Sequence, residues 1–265
     1  MLYINAIKLL FLDMKRSIVR MGYYILLLLA GLILYANYTA LMGSNTSVPD
    51  VFDVLFRHYS LIVIAIPVFL LLLSLVLPSI IEPLRIIRYR SRINYGTVLL
   101  VVIGMFVFTF LLIYMLSGVL YGWWLSGTLE NPWVTESGRP FILFEGNIDL
   151  SLFNTGYMIL RYVLTEFAAF MLLGLVAVLI YLLVPRFIYV FFIVEGLVIF
   201  DSAIFELFQI SFFLNKAEVS LDNWGDVAYF TSIITYFIGV IVILCAAIYI
   251  IVSKKDFLPV VEESS

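Results

Sequence analysis

Apolar residues run along this chain in six long blocks: Tyr23–Leu41, Leu61–Ile81, Thr97–Leu125, Gly156–Val184, Phe187–Gln209 and Val227–Val252. Each matches or exceeds the ~20 residues that a helix needs to cross a ~30 Å hydrocarbon core. Only a helix or a closed barrel satisfies its backbone polar groups without water, and blocks this long and continuous are helical. The pattern predicts an all-α integral membrane protein with six transmembrane helices. Pro67 inside the second block predicts a kink, because it has no N–H to give and its ring crowds the preceding turn. Gly118, Gly122 and Ser126 lie four apart near the end of the third, a small-residue face on which another helix can lie closely. Trp123 and Trp124 fit an aromatic belt at the outer membrane surface.

Met1–Met21 has a different rhythm. Ile4, Ile7, Phe11, Met14, Ile18 and Met21 recur at spacings of three and four, while Lys8, Lys15, Arg16 and Arg20 fill the opposite arc with Asp13. Such a helix lies along an interface, and its basic face suits anionic headgroups. No small-residue cleavage site closes the apolar run that follows, so the segment is expected to be retained rather than removed as a leader.

The polar stretches between blocks set the expected orientation. Glu82–Tyr95 reads EPLRIIRYRSRINY and holds Arg85, Arg88, Arg90 and Arg92. Pro83 suits a first helical turn, and Arg85, Arg88 and Arg92 then share one arc of a short amphipathic helix. With both termini inside, the cytoplasmic side holds Lys8, Lys15, Arg16, Arg20, Arg85, Arg88, Arg90, Arg92, Arg186, Lys254 and Lys255. Arg57, Arg139, Arg161 and Lys216 fall outside, a bias in the sense of the positive-inside rule. The longest polar stretch, 126–155, is an acidic outer loop with Glu130, Glu136, Glu145 and Asp149 against Arg139. Residues 253–265 form a short cytoplasmic tail.

Composition agrees with a single membrane domain over 1–265: an interfacial helix 1–21, a six-helix region 23–252 and the tail. The chain is 64% hydrophobic and 12% charged, against about 25% charged in a soluble domain. One cysteine, Cys245, excludes an intrachain disulfide, and one histidine, His58, excludes a His-ligated haem pair. No phosphate loop, H-E-x-x-H or G-x-S-x-G appears, so the chain is not expected to be an enzyme, and no cofactor or metal site is expected in it. His58 reads as an interfacial residue, not a base.

Four carboxylates, Glu166, Glu195, Asp201 and Glu206, fall in the last apolar blocks as a possible intramembrane polar site. Glu195 is expected to be the most deeply intramembrane of them. The fifth block is expected to break near Asp201, leaving Asp201 and Glu206 in short re-entrant helices. A five-residue separation is poor for an ion pair between Arg161 and Glu166.

An interfacial helix before the first span, followed by E-P-L-R-I-I-R-Y-R-S-R between the second and third, resembles the ABC transporter permeases of the type-2, exporter-like superfamily. It is similar to small bacterial permeases beside bacteriocin, lantibiotic or multidrug exporters. The ~30-residue loop 126–155 departs from that pattern, being often much shorter there. The resemblance implies a half-transporter in a bacterial plasma membrane, paired with a second permease copy or paralogue. A separate ATPase would bring ATP and Mg and dock on Glu82, Arg85, Arg88 and Arg92. It implies lipid as the surroundings, no nucleic-acid partner, and export of a peptide, drug or lipid-like substrate. A non-transporting assembly or immunity subunit and a carboxylate-dependent secondary transporter stand as the other readings.

Overall fold

The computed structural model describes residues 21–22, 24–26, 28–29, 31, 47–81, 92–219, 221, 224 and 226–254. Lys8, Lys15, Arg16 and Arg20 of the expected interfacial helix lie outside them, as do Glu82, Arg85 and Arg88 and the tail beyond Lys254. The described part is all α-helical apart from turns and short 3-10 and π stretches. It is a multi-pass membrane protein: five of its helices are long and apolar enough to cross a bilayer.

The elements in order are α1, Val48–Leu55; α2, built from His58–Ser60, a π-helical turn Leu61–Ala65 and Ile66–Ile80; α3, Arg92–Ser126; α4, Arg139–Leu143; α5, Thr155–Leu183; α6, Phe187–Phe208; α7, Leu214–Ala217; and α8, Val227–Lys254. The spans of the second to sixth apolar blocks appear where the pattern predicts them. Of the first, Tyr24, Ile25, Leu26, Leu28, Leu29 and Gly31 are helical, with Leu28 fully buried and Gly31 facing Ile64.

The helix around Pro67 is irregular just upstream of the proline. The turn just before it widens into the π-helix Leu61–Ala65, which relieves the crowding its ring imposes on the preceding carbonyls. The fifth block departs from expectation. α6 continues through Asp201 and Glu206 to Phe208 and stops only at Gln209, whose φ of 57° is a left-handed helix cap. Asp201 and Glu206 are therefore both helical residues of the span, and the helical turn α7 follows in the return segment.

α5 is the central helix and packs against α3, α6 and α8. α3 runs antiparallel to α8, and α2 to α6. Thr97 near the start of α3 meets Tyr249 near the end of α8, and His58 at the start of α2 meets Ser202 late in α6. The polar connections gather at one end, called here the cap: α1, the loop 127–154 and the return segment 209–226. Arg92, Arg186 and Lys254 lie at the other, basic, end.

The small-residue face of α3 has a definite partner. α1 lies along it so closely that a Cβ at Gly118 would come 2.5 Å from Leu55 Cδ1, and one at Gly122 2.8 Å from the Cα of Val48. α1 itself is an amphipathic helix with a reciprocal capping box, in which Ser47 and Asp50 bond each other's backbone N–H.

Candidate functional site

The cap is built around buried charge. Asp50 and Asp53 are 3% and 1% exposed although they come from a short helix between two spans. Asp50 accepts a hydrogen bond from Trp133 Nε1 at 2.9 Å, which pins the loop 127–154 onto α1. Asp53 accepts from Arg57 at 2.6 Å and from Arg139, at the start of α4, at 2.9 Å. Burial pushes the Asp53 carboxyl above its ordinary value of 3.8, and outweighs the pull of the two guanidinium groups.

Aromatic rings close this arrangement. Trp133 stands at 90° to Trp224, Phe153 stacks on Trp224 at 5.6 Å, and Tyr162 of α5 lies 5.5 Å from the same indole. Trp224 Nε1 donates to the Leu152 carbonyl. Arg161 places its guanidinium 4.7 Å from the centre of the Trp224 ring and donates to the Trp224 carbonyl. The loop 127–154 and the return segment are thus interlocked over α5 by rings and hydrogen bonds together. Arg161 turns to Trp224, and Glu166 makes no ion pair with it.

Beneath the rings, polar groups from five elements converge. Tyr162 and Glu166 lie one helical turn apart on the same face of α5. Asp53 approaches from α1, His58 from the start of α2, and Glu218 from the return segment. His58 Nε2 lies 2.8 Å from Ser202 Oγ of α6. Glu218 is half-buried, and burial raises its carboxyl above the ordinary 4.5 while His58 and Arg57 pull it down. Glu166 is fully buried, and both of its carboxyl oxygens are without a hydrogen-bond partner among the described residues. The Tyr162 hydroxyl and Asp53 Oδ1 are likewise buried and unpartnered.

No hydrogen bond among the described residues joins any two of the four carboxylates named as a possible polar site, and their surroundings differ. Glu166, and not Glu195, is the enclosed one: Glu195 sits half-buried on α6. Glu206 is exposed on the last turn of α6. Asp201 has a structural task, accepting from Ser211 Oγ and from the backbone N–H groups of Phe212, Phe213 and Leu214 at 2.6–3.1 Å. It thereby holds the first turn of α7 against α6. Compared with known proteins, the chain matches no family model, no curated protein and no solved structure.

Sequence reasoning passed over Asp53, Arg139 and Glu218 because they sit in polar connections, where charge is unremarked. One signal was present. Ser47-Val-Pro-Asp50 is a capping-box pattern, and Asp53–Arg57 has ion-pair spacing, so an ordered helix was legible inside the connection.

At the basic end, Arg92 is the one expected ATPase-contacting residue that the structure describes. It is exposed at the first position of α3, and its Nη1 donates to the Ser253 carbonyl at the end of α8 at 2.8 Å. One turn further, Thr97 Oγ1 and the Tyr249 hydroxyl are 2.7 Å apart. A Cβ at Gly96 would come 2.9 Å from the Tyr249 ring. The ends of α3 and α8 are clamped to each other.

Proposed function

We propose that this chain is the membrane-spanning permease subunit of an ATP-driven ABC transporter. In this reading a separate ATPase docks on residues 82–95 and a second permease copy or paralogue completes the pathway. Both termini lie in the cytoplasm of a bacterial cell, and a peptide, drug or lipid-like substrate is exported.

The observation that carries the reading is the junction between the basic stretch and the bundle. α3 is a single helix of 35 residues, roughly 52 Å at ~1.5 Å per residue and well beyond a ~30 Å hydrocarbon core. It leaves the basic stretch at Arg92 already clamped to α8. A force applied at Arg92 is then delivered to two spans as a rigid-body tilt rather than dissipated in a loop. The exposed Arg92 also suits docking on an acidic groove.

Purification of the tagged protein from its native membrane in mild detergent tests this. A stoichiometric ATPase carrying a phosphate loop is the expected companion. Reversing charge at Arg85 and Arg88 should abolish transport-coupled ATP hydrolysis while membrane insertion is retained. Full activity in that double variant, or no ATPase in the purified complex, overturns the reading.

A further inference from the structure

We propose that Glu166 is a proton-binding site inside the helix bundle, reached from the cap through Glu218 and His58. This stands whether or not an ATPase drives the protein.

The argument begins with missing donors. A carboxylate withdrawn from water needs donors on its oxygens or a paired cation, and leaving it without either costs several kcal/mol. Glu166 is 0% exposed, and neither oxygen has a hydrogen-bond partner among the described residues. The neighbouring Tyr162 hydroxyl, one turn away, is equally buried and equally unpartnered. Two adjacent polar groups on one helix face are therefore buried without hydrogen-bond partners among the described residues.

The surroundings favour a proton over a metal ion or a fixed salt bridge. The titratable groups facing this pocket are Tyr162 and Arg161 on α5, Asp53 on α1, Arg57 and His58 at the start of α2, Glu218 in the return segment, and Tyr229 on α8. The cations are engaged elsewhere. Arg57 is held by Asp53, and Arg161 lies over Trp224. The charged side chain that acts most directly on Glu166 is another carboxylate, Glu218. Two like groups in one enclosure share a proton more readily than they carry two charges. Among the described residues no three His, Cys, Asp or Glu side chains converge as metal ligands.

In this proposal protons enter from the cap, where Glu218 and His58 are both half-buried. His58 is bonded through Nε2 to Ser202 on α6. A proton taken from water at Glu218 adds to a Glu166 carboxylate oxygen. The reverse step returns it, and no other bond changes. Protonation would change the charge on α5, which packs against α6.

Infrared spectroscopy of the purified protein in lipid nanodiscs tests this, with Glu195→Gln as background to remove the half-buried carboxyl of α6. The expected result is a protonated-carboxyl C=O band at neutral pH that shifts in D2O, titrates away at alkaline pH and is absent in Glu166→Gln. Glu218→Gln, which removes the like charge, should lower the midpoint of that titration by about one pH unit. No band lost in Glu166→Gln means an ionised Glu166 and overturns the proposal. A band abolished by sodium chloride but not by choline chloride makes this a cation site and overturns it as well. Should Glu166→Gln fail to fold, the Glu218→Gln midpoint decides alone, and an unchanged midpoint counts against the pair.

Discussion

Asp53 shows what burial does to a charge in this protein. It is bound by two arginines, yet its carboxyl is pushed up, because desolvation outweighs both attractions. The folded chain therefore holds the Asp53 proton more tightly than the unfolded chain does. Stability from this group is greatest in acid and is lost as pH rises from about 4 through the raised value, the reverse of a salt bridge that wins its contest. Glu218 contributes in the same direction. Thermal melting followed by tryptophan fluorescence, to which Trp133 and Trp224 contribute, should show the midpoint falling over that range. Asp53→Asn should flatten the slope and change neutral-pH stability little. Arg139→Ala, which leaves the buried carboxylate with one partner fewer, should cost about 2 kcal/mol.

At the scale of elements, the fit of α1 on α3 is decided by two glycines of different kinds. The Cβ added at Gly118 meets the tip of the Leu55 side chain, which can rotate away. The Cβ added at Gly122 meets the backbone of Val48, so the helix itself must move. Gly122→Ala should therefore destabilise by about 1–3 kcal/mol and Gly118→Ala by less, read as the difference in melting temperature between the two variants. α1 carries Asp50 and Asp53, so displacing it also loosens Trp133 and Arg139 from their acceptors. The α6–α7 turn has a comparable logic: a left-handed Gln209 stops the helix, and Asp201 gathers the donors of the returning chain.

For the whole molecule, the five described spans alternate in direction, so the cap and the basic end lie on opposite sides of the bilayer. Single cysteines placed at Glu136 in the cap loop and Lys254 at the end of α8, in a Cys245→Ser chain, test this in intact cells. A membrane-impermeant thiol reagent should label position 136 and spare position 254, in keeping with the excess of Lys and Arg expected inside. Labelling of both from one side would break the alternation.

Hydropathy alone located α2, α3, α5, α6 and α8, since a helix that crosses lipid must be apolar over a fixed length whatever it packs against. The same periodicity marked a small-residue face on α3, without saying which helix would lie on it. The ordered cap was not legible in that way. Asp50 with Trp133, Arg139 with Asp53, and Trp133 with Trp224 are separated by about eighty to ninety residues, and no local pattern encodes which polar side chains meet across such distances. The intramembrane carboxylates divide for the same reason. Sequence could place Glu166, Glu195 and Asp201 at membrane depth. Only packing decided that Asp201 is fully bonded, that Glu195 sits on a half-open face and that Glu166 is enclosed with its oxygens unmet, because burial and partnership belong to the neighbours a residue acquires and not to the residue itself.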